Sequence, residues 1–189
     1  MKIETRKEEI IKVAAALFKE KGYSAVTMRD IATDMGMKAA SLYNHISSKQ
    51  HILREIIIKI AEEFTSGLDV IKKSDATSLE KMRAMVALHI KITSSNTDGM
   101  ASLNNDWMHL EEKLDYYLTL RSNYEDDVRA IIQKGIAIGE IKDVSADVIL
   151  FSILSTLRSL YLWIPRKEDL DPEQLTQDLS KVLISGMDT

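Results

Sequence analysis

Residues 27–54 read Thr-Met-Arg-Asp-Ile-Ala-Thr-Asp-Met-Gly-Met-Lys-Ala-Ala-Ser-Leu-Tyr-Asn-His-Ile-Ser-Ser-Lys-Gln-His-Ile-Leu-Arg, and they decide the fold. Thr27 is a good N-cap, and Asp30 three positions on fits a capping box. The helix that follows, Met28–Met35, turns Met28, Ile31, Ala32 and Met35 inward. Gly36 makes a turn. A second short helix covers Lys38–His45, with Leu42 inward and Ile46 closing the unit. Ser47 and Ser48 offer caps for a third helix, and Ser47 with Gln50 fits a second capping box. Two short helices joined by a glycine turn make a helix-turn-helix, which sets its second helix into a groove about 12 Å wide.

Working outward, the pattern stays helical. Ile10, Val13, Ala14, Leu17 and Phe18 give one apolar face to a helix from Thr5 to Lys21, stopped by Gly22. From Lys49 to about Ser66, Ile52, Leu53, Ile56, Ile57, Ile60 and Phe64 form a broad stripe. Lys72–Thr77 reads as a loop, Leu79–Thr93 as a helix and Ser94–Gly99 as a break. Met100–Glu112 is expected to be helical with an irregularity near Asn104, and Leu114–Gly139 to be one long helix. The stretch from Ser145 or Asp147 to Ile164 is apolar nearly all round, which predicts burial on every side, in part by a second copy. Pro165 ends it. Asp171 and Pro172 open a last helix to Gly186 that turns Leu175, Leu179, Val182, Leu183 and Met187 inward. Both prolines lie late, which suits an all-α chain.

Composition narrows the function. The 189 residues contain no cysteine, which excludes disulfides, thiol catalysis and Cys-ligated zinc. No apolar run approaching ~18–20 residues is seen, so no membrane span is expected. The first residues lack an apolar signal core, and a cytoplasmic location is expected. Net charge is −4, but residues 1–60 carry 11 Lys/Arg against 7 Asp/Glu, while the remainder is acidic. A basic end on an acidic chain points to nucleic acid at that end.

The side chains available for double-stranded DNA are Thr27, Arg29, Lys38, Ala39, Ala40, Tyr43, Asn44, His45 and Lys49. Thr27, Tyr43 and His45 suit phosphate oxygens. Lys38 and Lys49 stand at helix N-termini, where free N–H groups and the dipole attract phosphate. Ala39 and Ala40 are small enough for close approach to base edges, and Asn44 can read adenine N6/N7. The plainer alternatives are that Thr27 only caps and that Tyr43 only packs.

Residues 6–54 resemble the N-terminal domain of the TetR family of bacterial transcriptional regulators. The resemblance rests on Ala-Leu-Phe-Lys-Glu-Lys-Gly-Tyr at 16–23, Thr-Met-Arg-Asp-Ile-Ala at 27–32 and Gly-Met-Lys-Ala-Ala-Ser-Leu-Tyr-Asn-His-Ile at 36–46. Ser48, Lys49 and Leu53 complete it. The chain departs from the family at Lys38, where Ser or Thr is common, at Ala40, where Gly stands nearby, and at Ile46, where Phe is common. The resemblance implies an all-α, Ω-shaped homodimer. Residues 1–48 would be a three-helix DNA-binding domain and 49–189 a larger helical bundle for effector binding and dimerisation. It also implies a four-helix-bundle interface, a palindromic operator and release by a small-molecule effector. The interface would use Val148, Ser152, Ser155, Ser159, Trp163, Leu175, Leu179 and Val182.

Candidate effector contacts are Met82, Met85, His89, Met100, Asn104, Trp107, Met108, Tyr117, Arg121 and Tyr124. Methionines and aromatics make adaptable apolar linings, although such stripes also make ordinary cores. Arg158, on a helix expected to be buried, needs either an acidic partner or an anionic effector. A weaker resemblance, of Tyr124–Ile141 and Trp163–Leu175 to acyl-CoA-responsive members, points to an acyl-CoA or fatty acid. The alternatives are a DNA-binding regulator without an effector and a helical-bundle metalloenzyme using Asp106 and His109, which otherwise read as surface groups. One carboxylate-x-x-His motif is too few for that metal site. Neither a metal nor a cofactor is expected.

Overall fold

The computed structural model describes residues 5–185. No strand forms among them; the chain is carried by α-helices and 3-10 turns. It divides into two compact units. One comprises the residues up to Ala61 together with Asp98–Tyr117; the other comprises Glu62–Thr97 and the chain from Leu118 onward. The grouping differs from a division at 48/49, because the start of the fourth helix and a later segment both pack with the N-terminal helices.

In the first unit, α1 (Arg6–Lys21) opens on a capping box: Thr5 Oγ accepts from Glu8 N, and Glu8 accepts from Thr5 N at 2.7 Å. Gly22, at φ 81, ends it, and a 3-10 turn covers Tyr23–Ala25. Helix α2 (Met28–Asp34) forms the predicted box between Thr27 and Asp30. Gly36 takes φ 64, a left-handed conformation that suits glycine. Helix α3 (Ala39–Tyr43) is only five residues long, shorter than the Lys38–His45 reading, with Lys38 as its N-cap residue. Ile10, Ala14, Ile31, Leu42, Ile52 and Leu53 are wholly buried. Burying an aliphatic side chain of this size contributes roughly 1.5–3 kcal/mol, so this small core suffices to set α2 against α3.

Helix α4 (Lys49–Lys73) runs a full two turns beyond the Ser66 expected. Gly67 does not end it, because Leu88 packs against the glycine where a methyl would stand 2.6 Å from Leu88 Cδ1. Its cap also differs. Ser48 Oγ accepts from His51 N at 3.0 Å, so Ser48 rather than Ser47 serves, and Gln50 is released for a contact elsewhere.

In the second unit, α5 (Ser78–Ser95) turns Met82, Met85, Val86, His89, Ile90 and Thr93 into the core. The break after it shrinks to Asn96, and α6 (Thr97–Asn105) begins at once. Two 3-10 turns, Trp107–His109 and Glu111–Lys113, replace the helical continuation expected there. Helix α7 (Leu114–Ala137) follows as predicted, though Leu118 faces outward. The end of α7 packs tightly on the start of α5. Glu140 accepts from Ser78 N at 2.7 Å, and a methyl on Gly135 would lie 2.6 Å from Ile141 and 2.9 Å from Ser78 Cβ.

The apolar stretch after Ser145 splits into α8 (Ala146–Arg158) and α9 (Leu160–Trp163), interrupted at Ser159. It is not enclosed. Ile149, Leu150, Ile153, Leu154 and Leu157 are buried, whereas Phe151 is 73% exposed and Leu162 51%. By length and hydropathy Ala146–Arg166 could cross a bilayer, contrary to the sequence reading. Two of its three charges are instead tied to α7: Asp147 accepts from Arg129 at 2.7 Å, and Arg158 donates to Glu125 at 2.5 Å. Helix α10 (Pro172–Ile184) lies along α5, capped by Asp171. Val182 points outward at 74% exposure, not inward, while Ser180 and Ile184 take the core positions. The expectations for Gly186 and Met187 lie outside the described residues.

Candidate nucleic-acid interface

The sequence-predicted DNA residues gather on one exposed stretch of the first unit. Thr27, Arg29, Lys38, Ala40, Tyr43, Asn44 and His45 are exposed, and Ala39 is half-buried. Tyr43, 54% exposed, stands clear of the core, so packing does not account for it. Among the described residues, the side chains of Arg29, Lys38, Tyr43, Asn44 and His45 take no hydrogen-bond or ion-pair partner. Thr27 is less free: its hydroxyl accepts from Asp30 N and donates to Asp30 Oδ2 at 2.6 Å. The Thr27 hydroxyl and the Thr27 N–H both donate to the Asp30 carboxyl and hold it below its usual range.

Two basic residues differ from expectation. Helix α3 is too short to gather a substantial dipole, so Lys38 offers its own charge rather than a strong helix terminus. Lys49 is turned inward. Its ammonium donates to the carbonyls of Tyr23 at 2.9 Å and Val26 at 2.8 Å, and sits 4.3 Å over the Tyr23 ring. Burial lowers its pKa. The 3-10 turn and the Val26 that follows it aim two carbonyls at one point, where the Lys49 ammonium meets both; the Tyr23 carbonyl also accepts from Val26 N.

Tyr23 is a hub that the sequence did not reveal. Phe18 meets it edge-on at 5.1 Å and His109 stacks on it at 5.2 Å. Burial, with Glu111 and Asp106 nearby, pushes its phenol up to about 12. Gln50 donates to His109 O and to Glu111 Oε1, both at 2.8 Å, and Lys19 pairs with Asp98 at 2.7 Å. Asp106 is 8% exposed and hydrogen-bonded to the Tyr23 backbone, and burial raises its pKa. Asp106 and His109 are therefore structural groups of the head and not the surface groups expected. Only the position of Tyr23 just after Gly22 hinted at this; long-range contacts leave no periodic signal.

Residues 10–56 match the family model for bacterial regulatory proteins of the tetR family, and residues 75–187 match the tetracyclin repressor-like C-terminal domain. The chain belongs to the TetR family. The HTH-type transcriptional repressor KstR2 of Mycolicibacterium smegmatis is 23% identical over 186 residues, covering 97% of this chain and 91% of that protein. The biofilm operon negative regulator IcaR of Staphylococcus aureus is 45% identical, but over 51 residues only, 27% of each chain. The solved structure of the ketosteroid transcriptional regulator KstR2 of Mycobacterium tuberculosis superposes with a TM-score of 0.92 at 21% identity, covering 100% of this chain and 97% of that one. The 45% identity to IcaR is confined to a stretch about as long as the TetR head.

The effector candidates fall into two groups. Met100, Asn104, Trp107, Met108 and Tyr117 belong to the same unit as the TetR head, and Met82, Met85, His89, Arg121 and Tyr124 to the other. In the first group Met100 and Tyr117 are buried, Asn104 donates to Met100 O at 2.8 Å, and the Trp107 and Tyr117 rings lie 6.0 Å apart. Met108 is 57% exposed. In the second group Met82 and Met85 are fully buried, and His89 meets Tyr124 Oη at 2.9 Å through Nε2. Glu125 accepts from both Arg158 and Arg121. Burial raises its pKa, but those bonds outweigh it and hold the carboxyl low. Arg158 thus has the acidic partner that was one of its two expected outcomes.

Of the interface candidates, Val148, Ser152, Ser155, Ser159, Trp163 and Val182 are exposed, Leu179 is half-buried and Leu175 is buried within its own unit. Trp163, Leu175, Leu179 and Ser159 line one hollow with Thr156 and Leu160.

Proposed function

We propose that this chain is a dimeric repressor that binds a palindromic double-stranded DNA operator and is released by a small-molecule effector. The observation that carries the reading is the set of unpartnered side chains on α2, on α3 and at the two ends of α3. Arg29 and Lys38 neutralise phosphates, Tyr43 and His45 donate to phosphate oxygens, Asn44 reads a base edge, and Ala39 and Ala40 allow close approach. Thr27 joins them where a phosphate oxygen replaces Asp30 at its hydroxyl. Lys49 acts by holding the Tyr23–Val26 turn.

The homodimer forms through the exposed strip of α8, α9 and α10, whose apolar and small residues need cover that a single chain does not supply. That cover, and the ion pairs that bind α8 to α7, favour a cytoplasmic protein over one that inserts in a membrane. The effector is a long apolar molecule with an anionic end, for which an acyl-CoA or fatty acid is the best candidate. The second unit's methionine and aromatic faces support it, as does likeness in fold to a protein described as a ketosteroid transcriptional regulator. Catalysis has no support: Asp106 and His109 are spent on Tyr23.

The test is a gel shift on the DNA upstream of the protein's own gene. Binding is expected to fall steeply between 50 and 200 mM salt, as phosphate-dominated binding does. Tyr43→Ala is expected to abolish it. Tight, salt-insensitive binding that ignores Tyr43→Ala overturns the interface.

A further inference from the structure

Three buried polar positions stand within one face of the second unit. On α5, His89 is 3% exposed and Thr93, one turn later, is 0% exposed. Tyr124 on α7 meets His89 Nε2, and the Phe64 ring lies 4.5 Å from the imidazole. Among the described residues, His89 Nδ1 and Thr93 Oγ1 have no hydrogen-bond partner. A buried polar group without a partner costs about 1–3 kcal/mol. Neither group is needed to pack the core, because valine has the shape of threonine and leucine or methionine fills the place of histidine. Met82 and Met85, on the same face of α5, have flexible side chains that can repack around a guest.

We infer that His89 Nδ1 and Thr93 Oγ1 form the polar anchor of the effector site, and that the effector is a largely apolar molecule whose buried part carries an uncharged oxygen, a carbonyl or a hydroxyl. The inference rests on the ligand-controlled reading above. The chemistry follows from the groups. Thr93 can both donate and accept. His89 presents a donor or an acceptor at Nδ1, according to whether Tyr124 donates to Nε2 or accepts from it. Burial holds the imidazole neutral, with a pKa of about 3, and the Arg158 charge pushes it the same way. A carboxylate here would lack a cation, since Arg158 is already paired with Glu125. An acyl thioester carrying an oxygen toward the far end of its chain, or a ring ketone, meets these terms; a plain saturated chain leaves both groups unpaired.

Two matched pairs test this on the full-length protein: decanoyl-CoA against 10-hydroxydecanoyl-CoA, and trans-decalin against trans-2-decalone. Operator release is read by fluorescence anisotropy and binding by thermal shift. The oxygenated member of at least one pair is expected to act at about tenfold lower concentration or less, because a site built to hydrogen-bond a group discriminates strongly against its absence. Thr93→Val, which keeps the shape, is expected to erase that preference without lowering the melting temperature of the unliganded protein. Equal potency within both pairs overturns the anchor and leaves ligand control standing. A preference that survives Thr93→Val, or a Thr93→Val protein that melts earlier, also overturns the anchor. Silence from all four compounds overturns the anchor and the ligand-controlled reading together.

Discussion

His89 shows how one residue ties stability to proton concentration. Its folded pKa lies near 3 against an ordinary 6.5. Below pH 6.5 the unfolded chain takes up a proton there that the folded chain refuses, so stability falls as pH drops from 6.5 toward 3 and is level above that range. The slope reaches about 1.4 kcal/mol per pH unit. Carboxylates held low, such as Glu55 and Glu125, act in the same direction but below their ordinary value of 4.5. Urea denaturation should therefore show the protein about 2 kcal/mol less stable at pH 5 than at pH 7. His89→Gln, which can still meet Tyr124 but does not titrate, should level that difference; an unchanged pH dependence in the variant rules out His89 as its source. Position 89 was legible as a candidate effector contact. Its partner was not, because the pairing with Tyr124 spans 35 residues and local spacing carries no record of it.

The helices themselves were written in local signals, and the exceptions have identifiable physical causes. Thr27 and Asp171 cap the helices the sequence opens on them, and Thr5 and Thr77, which the sequence reading did not name as caps, cap α1 and α5. Capping depends on residues two or three apart and so is mostly local, although the Ser47–Gln50 box gave way to Ser48 once His109 claimed Gln50. Helix α4 overran its expected end because Gly67 accommodates Leu88, a contact from a distant helix. Lys49 misled for the same reason: a lysine beside a helix start looks like a phosphate ligand until the Tyr23 and Val26 carbonyls claim it. The two roles separate by salt dependence. Arg29→Ala and Lys38→Ala should weaken operator binding and each flatten the slope of log K against log salt by about 0.9, the signature of one lost phosphate contact. Lys49→Met should weaken binding by loosening the turn before α2, with the slope unchanged. Anisotropy titrations at four salt concentrations decide it; a flatter slope in Lys49→Met returns that lysine to the DNA.

For the whole molecule, the question is what covers α8. Its sequence is apolar on nearly every side, and the structure shows that only one side is used by its own chain. Val148, Phe151, Leu162 and Trp163 are 57%, 73%, 51% and 42% exposed, and Val182 on α10 is 74% exposed. Ser152, Ser155 and Ser159 lie between them, small enough for another backbone to come close. An exposed apolar strip of this kind calls for a partner, and a second copy offers the same strip in return. In the proposed dimer, two heads would read half-sites about 34–36 Å apart, or multiples of that, and pairing would turn weak single-head contacts into operator affinity. Phe151→Glu together with Val182→Glu places two carboxylates on the strip, where each would have to be desolvated on pairing. Sedimentation should find the parent protein at twice its 21.4 kDa and the double variant at that single-chain mass. The variant should melt as a folded protein, since neither side chain is buried in its own chain. Its affinity for the full palindrome should drop at least about 100-fold, the loss expected when two linked binding events become independent, while affinity for an isolated half-site stays at the parent value. A double variant that remains dimeric, or a monomer that keeps full palindrome affinity, places the dimer axis elsewhere on the chain.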